Sequence, residues 1–344
     1  MMKKNYLLSI LLVLQVLVAY LVISSGDELQ GHAGIQKLLD FNRELVDGIR
    51  IEDNNGNLVE LKSEGDAWLT AEDFPVNVDR IDRLLERLDG LEHGLAVASS
   101  PSSAKRFEVS GDRFQRHLKL LNDGKPVAEF YLGTGAGARR NHVRLADQDK
   151  IYAVTIGSYD LPAEIADWQD KDLLQIEVSE IQSIDLEGLT IRRIEEGENE
   201  DESQDTESDI DSTEWFADGL AEDETFKVDE FETQLRNLAT LRFDRAFMGS
   251  LEELVIKAKI VVSYGDQDRT YEFAESKEGD NFWLKVTGFE ELFEVSQYNG
   301  NRIIDNLTSD KLIEKPEPDE DPEEVTGNDL DVVADPPETS SSDE

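Results

Sequence analysis

Residues 77–91, with the sequence NVDRIDRLLERLDGL, decide the architecture of this chain. Apolar side chains recur at helical spacing within the stretch, and charged side chains occupy the opposite face. Asn77 is a suitable N-cap, and Gly90 or Gly94 is a suitable stop, so the stretch predicts one amphipathic helix. Such a helix must bury its apolar face against another layer of structure. The apolar positions are Ile81, Leu84, Leu85, Leu88 and Leu91.

A second helix of the same kind is predicted at residues 228–241, VDEFETQLRNLATL, where Val228 lies 150 positions after Val78. At this offset Leu85 and Leu88 coincide with Leu235 and Leu238. A strand end that carries a tryptophan, Trp68 or Trp215, precedes each helix. The chain therefore contains an internal duplication, and its two copies are expected to share one fold.

Turn signals divide the rest of each copy into strands. Asn122-Asp123-Gly124-Lys125 is a hairpin signal in the first copy, and Gly265-Asp266-Gln267-Asp268 is its counterpart in the second. Short closing helices are predicted at 161–168 and 301–307. The predicted fold class is α+β: two tandem repeats, each an antiparallel sheet covered by one amphipathic helix.

The N-terminus reads as a membrane anchor. Residues 6–23 form an uncharged run of 18 residues, preceded by Lys3 and Lys4 and followed by Asp27 and Glu28. As a helix the run would span about 27 Å, close to the thickness of a bilayer core. The positive-inside rule predicts a cytoplasmic N-terminus, with the body in the periplasm of a bacterial inner membrane. A cleaved signal peptide is the alternative, because Ser24-Ser25-Gly26 is small enough for a cleavage site.

The composition limits the classes of partner that the protein could bind. The net charge is −43, and the chain has no cysteine, so it has neither a disulfide framework nor a lipoprotein thiol. Residues 195–214 carry eleven acids without Lys or Arg, and residues 314–344 carry thirteen acids against Lys315 alone. Both stretches are predicted to be disordered. Nucleic acid and anionic lipid are poor partners for such a body.

These features predict five parts. They are a membrane anchor (1–26), a juxtamembrane stalk (27–46) with leucines near helical spacing, a first repeat (47–178), a second repeat (179–313) with the acidic insertion 195–214, and an acidic tail (314–344).

The body resembles a known family. The residues that carry the resemblance include Trp68-Leu69, Leu132-Gly133-Thr134, His142-Val143-Arg144 and Ile151-Tyr152-Ala153-Val154. Over residues 47–313 the chain resembles the uncharacterised DUF4340 family. The resemblance implies a membrane-anchored extracytoplasmic protein, often encoded beside subunits of ABC-type transporters of the gliding-motility kind. The family has no established catalytic residues, so the resemblance implies no site.

The motifs that could carry chemistry lack their structural context. Ser102-Ser103-Ala104-Lys105 fits S-x-x-K, but the S-D-N and K-T-G elements are missing and the segment is predicted as a loop. The glycine-rich stretch 133–137 resembles a phosphate loop, yet the chain returns into a strand, which predicts a hairpin. Asp53, Asn55 and Asn57 are spaced as in a calcium loop but read as a turn. No histidine pair has zinc spacing. We therefore predict no catalytic residue, metal or cofactor.

One basic cluster remains, formed by Arg139, Arg140 and Arg144. It is predicted to contact an anionic group or an acidic partner loop, and the alternative is pairing with the chain's own carboxylates. The functional prediction is a non-enzymatic, membrane-anchored extracytoplasmic interaction or scaffold protein, accessory to an ABC-type transport complex. The rival is an extracytoplasmic ligand-binding or hydrolytic protein that acts on envelope glycans or peptides.

Overall fold

The computed structural model of the protein describes residues 12, 14, 15, 17, 34–194, 215–250, 254–275 and 281–315. Most of the predicted anchor, the whole acidic insertion and nearly all of the acidic tail lie outside this set. Leu12, Leu14 and Leu17 are helical and exposed. Within the described part of the chain, no helix is both long enough and apolar enough to cross a membrane.

The first unit is built on an antiparallel sheet of seven strands. Their order across the sheet is β7-β6-β5-β4-β1-β2-β3. The strands are β1 (Gly48–Asp53), β2 (Leu58–Glu64), β3 (Ala67–Thr70), β4 (Arg116–Asn122), β5 (Lys125–Gly135), β6 (Asn141–Leu145) and β7 (Ile151–Val154).

The second unit has a sheet of eight strands in the order β10-β9-β8-β12-β13-β14-β15-β11. Read from β3 to β7, the first sheet has the same order as the second from β10 to β15, and β11 is added at the far edge. The strands are β8 (Ile181–Leu186), β9 (Leu189–Arg193), β10 (Trp215–Ala217), β11 (Arg245–Met248), β12 (Val255–Tyr264), β13 (Gln267–Glu275), β14 (Phe282–Val286) and β15 (Glu291–Val295).

One long helix packs on each sheet, as the periodicity predicts. Helix α1 (Val78–Asp89) is N-capped by Asn77, whose side chain accepts a hydrogen bond from the Arg80 backbone N–H at 3.0 Å. Ile81 and Leu88 of α1 are fully buried in the first core. The other helices are α2 (Pro101–Arg106), α3 (Val228–Ala239), α4 (Gln297–Ile304) and α5 (Ser309–Leu312). The α+β class is thus confirmed.

Short elements complete the fold. Three two-stranded pairs join Gln36–Lys37 to Glu92–His93, Val109–Ser110 to Arg113–Phe114, and Thr225–Phe226 to Ile313–Glu314. The 3-10 turns are Arg43–Leu45, Ser158–Asp160, Ile165–Asp167 and Val178–Glu180.

Local turn chemistry sets the hairpin register. Between β4 and β5, Asp123 and Gly124 both have positive φ, 49° and 69°. Two consecutive positive φ values are typical of the type I′ turn, which matches the twist of the flanking strands. The hairpin predicted from Asp-Gly is confirmed, and β4 and β5 pair from Asn122 and Lys125 outward.

Three local predictions differ from the structure. Residues 34–46 of the predicted stalk contain a strand and a 3-10 turn, and Leu38, Leu39 and Val46 are buried in the first core. The leucine spacing therefore reflects packing against the body. The predicted closing helix 161–168 contains only the 3-10 turn Ile165–Asp167.

The third difference concerns residues 101–106, predicted as a loop, which form α2. The Ser100 side chain accepts from the Ser103 N–H at 3.2 Å, and Pro101 occupies the first helical turn. Both are helix-start signals. Helix α2 belongs to residues 97–114, which we call the covering segment because they pack across the sheet face opposite α1.

A joint couples the two units: residues 169–172 of the first contact residues 242–246 of the second. The Gln169 amide, which is 4% exposed, donates from Nε2 to the Ala246 carbonyl oxygen at 2.7 Å. Its Oε1 accepts from the Ala246 N–H at 2.8 Å. Phe74 also packs in the second core, edge-on to Phe243 with ring centroids 6.0 Å apart. Leu174 and Ile176, which were assigned to the first repeat, belong to the second core.

Lys171 places a half-buried ammonium in this joint. Its Nζ donates to the Asp244 carbonyl oxygen and lies 4.9 Å from the centroid of the Phe243 ring. Burial lowers the pKa of Lys171, against smaller opposing effects of the Asp244 and Asp167 carboxylates. The unfolded chain therefore binds this proton more tightly than the folded chain.

This difference predicts a pH dependence. Between the lowered pKa of Lys171 and its ordinary value of 10.5, the free energy of unfolding should rise with pH, since the unfolded state carries more protons there. Lys171→Met should remove that rise. Denaturant unfolding at a series of alkaline pH values tests it, with Lys125→Met at the exposed β4–β5 turn as the control for loss of a lysine. Equal pH profiles for Lys171→Met and the parent would contradict the assignment.

Candidate interaction surface

The turn between β5 and β6 carries two of the three arginines singled out in the sequence. The Ala136 N–H donates to the Arg140 carbonyl oxygen at 2.7 Å, and the Arg140 N–H donates to the Gly137 carbonyl oxygen at 2.9 Å. Gly137, Ala138 and Arg139 have positive φ values of 77°, 47° and 61°. Strand β6 follows at once, so the predicted hairpin, and not a phosphate loop, is confirmed. The turn presents Arg139 and Arg140 to solvent.

A stack of side chains from the covering segment and β6 packs next to this turn. The Arg106 guanidinium lies 4.5 Å from the centroid of the Phe107 ring, and the Phe107 ring stacks on His142 at 4.0 Å with an interplanar angle of 16°. His142 in turn donates from Nδ1 to the Thr134 carbonyl oxygen at 2.8 Å. The stack thus adds a third exposed cation, Arg106, at the same end of the sheet. We call Arg106, Arg139 and Arg140 the arginine tip.

Close backbone approach fixes the covering segment to the sheet below the arginine tip. The Thr134 N–H donates to the Phe107 carbonyl oxygen at 2.9 Å. A Cβ at the neighbouring Gly133 would lie only 2.0 Å from that oxygen and 2.5 Å from the Glu108 carbonyl oxygen. Position 133 therefore has no room for any side chain larger than that of glycine.

Arg144, the third predicted residue, has a structural role. Its guanidinium donates to the carbonyl oxygens of Val109 at 2.7 Å and Gln148 at 2.9 Å, and it lies 4.9 Å from the Tyr131 ring centroid. These bonds hold the covering segment and the β6–β7 turn. The structure thus brings Arg139 and Arg140 together and separates Arg144 from them. Among the described residues none of the three forms an ion pair with a carboxylate.

The charge around the arginine tip is opposite to that of the chain as a whole. Residues 105–150 contain ten Lys and Arg against six Asp and Glu. Several of those acids are already paired, such as Glu108 with Arg113 at 2.8 Å and Asp112 with Lys105 at 3.0 Å. Hydrogen bonds from Gln115 and then from Arg113 lower the pKa of Glu108. The arginine tip is therefore left with positive charge that no described carboxylate neutralises.

The sequence motifs considered as catalytic or metal-binding sites have structural roles. The Asp53 carboxylate accepts from the backbone N–H groups of Asn55 at 2.8 Å and Asn57 at 3.0 Å, which makes it a turn residue. Burial opposes ionisation of Asp53, but these bonds and one from the Asn57 side chain leave its pKa lowered. Ser102 lies in exposed α2. In the part of the chain that the structure describes, no group of three His, Cys, Asp or Glu could hold a metal ion.

The sequence alone did not indicate two residues of this surface. Arg106 was missed because α2 was read as a loop, although Ser100-Pro101 carried the signal. The contact of Phe107 with His142 joins residues that are distant along the chain and had no signal.

Comparison with known proteins agrees with the sequence motifs. The family model described as "Domain of unknown function (DUF4340)" matches residues 68–254, from β3 to the start of β12. Comparison with curated proteins and with solved structures gave no match. Since the matched region covers more than half of the chain and includes the covering segment, the arginine tip and the joint, the protein belongs to the DUF4340 family.

Proposed function

We propose that this protein is a non-enzymatic scaffold, tethered to the bacterial inner membrane by residues 6–23, with its body in the periplasm. Its two units would be tandem repeats, a reading supported by the offset of 150 residues and by the shared strand order. The partner would be a subunit of an ABC-type transport complex.

The arginine tip carries this proposal. Arg139 and Arg140 are exposed cations on a tight turn, and the stack of Phe107 and His142 holds the turn in place. Charges held in place lose less entropy on binding than charges on a mobile loop. Carboxylates of a partner loop would be matched by charge-assisted hydrogen bonds.

The joint and the tether add to the affinity. The Gln169 bonds and the shared apolar core join the two units, so a partner would meet both as one platform. A membrane tether confines that platform near the bilayer, which raises its effective concentration toward a membrane partner. Weak intrinsic contacts then suffice for association.

Affinity capture of the full chain from detergent-solubilised membranes tests the proposal. We expect subunits of an ABC-type transporter in the captured material. Reversal of the arginine tip with Arg139→Glu and Arg140→Glu should reduce their recovery about tenfold, equivalent to ~1.4 kcal/mol.

The matched control reverses Arg83 and Arg302 to Glu, because both are exposed and neither is in an ion pair among the described residues. This variant has the same net charge as the tip variant and should recover the partner as the parent does. Capture of this chain alone, or equal losses in both variants, would reject the arginine tip as the contact.

A further inference from the structure

The arginine tip is a cationic surface on a chain whose net charge is −43, which raises the question of what occupies it when no partner is bound. The chain itself contains a candidate. Residues 316–344 hold twelve Asp and Glu and no Lys or Arg over 29 residues. We propose that these residues, which are the acidic tail without Glu314 and Lys315, dock on the arginine tip of their own chain. The inference does not depend on the identity of any transporter partner.

Charge complementarity is the first argument. Arg106, Arg139 and Arg140 are exposed, and no described carboxylate pairs with them. Guanidinium groups form the strongest exposed pairs with carboxylates, because two parallel hydrogen bonds are possible.

Reach is the second argument. The described chain ends just after the strand Ile313–Glu314, which pairs with Thr225–Phe226 at the start of α3. Helix α3 is about 18 Å long. At its far end the Ala239 carbonyl oxygen accepts from the Ile176 N–H, four residues after the end of the joint segment 169–172. Strand β3 is the edge of the first sheet near the joint, and β5 lies about 19 Å from it across the sheet. A tail of 29 residues can extend to about 95 Å.

The acidic insertion 195–214 is a poorer occupant. It leaves and re-enters the fold at β9 and β10, where Arg193 pairs with Trp215. Strands β10 and β11 are the opposite edges of the second sheet, and β11 contacts the joint. About 34 Å of sheet therefore separates β10 from the joint. Because both ends of the insertion are fixed together, an out-and-back path reaches only about 33 Å. The tail is favoured because its 29 residues reach farther than the insertion does.

Docking would make the tail a competitor for the same surface. A partner that binds the arginine tip would first have to displace the tail. The tail would then have two states, docked and released. A partner that binds the arginine tip would increase the population of the released state, because it binds only that state.

The absence of cysteine allows a direct test in the full-length protein. We place one cysteine at Ser102 on exposed α2, one turn before Arg106, and one at Thr326 in the tail. The rate of disulfide formation between them reports their effective concentration. We expect the rate to fall about tenfold when Arg139 and Arg140 are changed to Glu. It should also fall when the ionic strength rises from about 0.01 M to about 1 M, which shortens the Debye length from about 30 Å to about 3 Å.

Two controls give the experiment its power. The Arg83→Glu and Arg302→Glu pair has the same net charge as the tip reversal and should leave the cross-linking rate unchanged. A cysteine at Ser208 replaces the tail probe with one in the acidic insertion. The proposal would be overturned if the cross-linking rate of the Thr326 cysteine changed neither with the tip reversal nor with salt. A Ser208 probe that responds to the tip reversal more strongly than the tail probe would also overturn it.

Discussion

Gly133→Ala is expected to destabilise the first unit by about 3 kcal/mol, at the upper end of the usual cost of overpacking. The new Cβ would lie 2.0 Å from the Phe107 carbonyl oxygen, which is a backbone atom and cannot rotate away. Relief requires the covering segment to move off the sheet. That movement breaks the hydrogen bond from the Thr134 N–H to the Phe107 carbonyl oxygen.

Two measurements follow the effect. Denaturant unfolding gives the change in the free energy of unfolding, and limited proteolysis with trypsin reports release of the covering segment. Cleavage after Arg106 and Arg113 should accelerate, since local opening exposes the backbone there. The arginine tip should also lose its support, because the Phe107 ring would leave His142.

Gly135→Ala is the matched control, two residues further along the same strand. The nearest atom to its Cβ would be the Asn141 side-chain oxygen at 3.8 Å, an ordinary contact. We expect a change within about 0.5 kcal/mol, as for most surface substitutions. If the two alanine variants were equally stable, the close packing of Gly133 under the covering segment would be refuted.

The parts of the fold that the sequence predicted are those set by local rules. The α1 stretch has helical periodicity, an asparagine cap and a glycine stop, and each of these acts within a few residues. The Asp123-Gly124 turn likewise follows from the positive φ values that those residues tolerate. Neither requires knowledge of distant contacts, so one sequence suffices.

The parts that the sequence did not predict depend on contacts between distant residues. Arg144 was grouped with Arg139 by proximity in sequence, yet its carbonyl partner Val109 is 35 positions away. Gln169 lies between Trp168 and Asp170 with no motif around it, although its partner is Ala246. Hydrogen bonds to backbone atoms are independent of the partner's residue type, so the partner's sequence carries no signal.

Gln169 is expected to couple the unfolding of the two units. Its side chain satisfies both the N–H and the carbonyl oxygen of Ala246, which is 6% exposed. Gln169→Leu would leave both backbone groups buried without a partner, and each such group costs about 1–3 kcal/mol. We expect a loss of about 3 kcal/mol in coupling between the units. A cooperative unfolding curve should then separate into two transitions with a smaller denaturant slope for each.

The control for Gln169→Leu is Gln175→Leu, which removes an exposed glutamine six residues later. The Gln175 amide donates to the Asp172 carboxylate at 2.7 Å, and both groups regain water when that bond is lost. Its replacement should change the unfolding free energy by no more than about 0.5 kcal/mol and leave the transition single. Circular dichroism and tryptophan fluorescence follow the unfolding of both units, because Trp68 and Trp168 belong to the first core and Trp215 to the second. Coincident transitions in Gln169→Leu would mean that Phe74 and the apolar contacts couple the units without the amide.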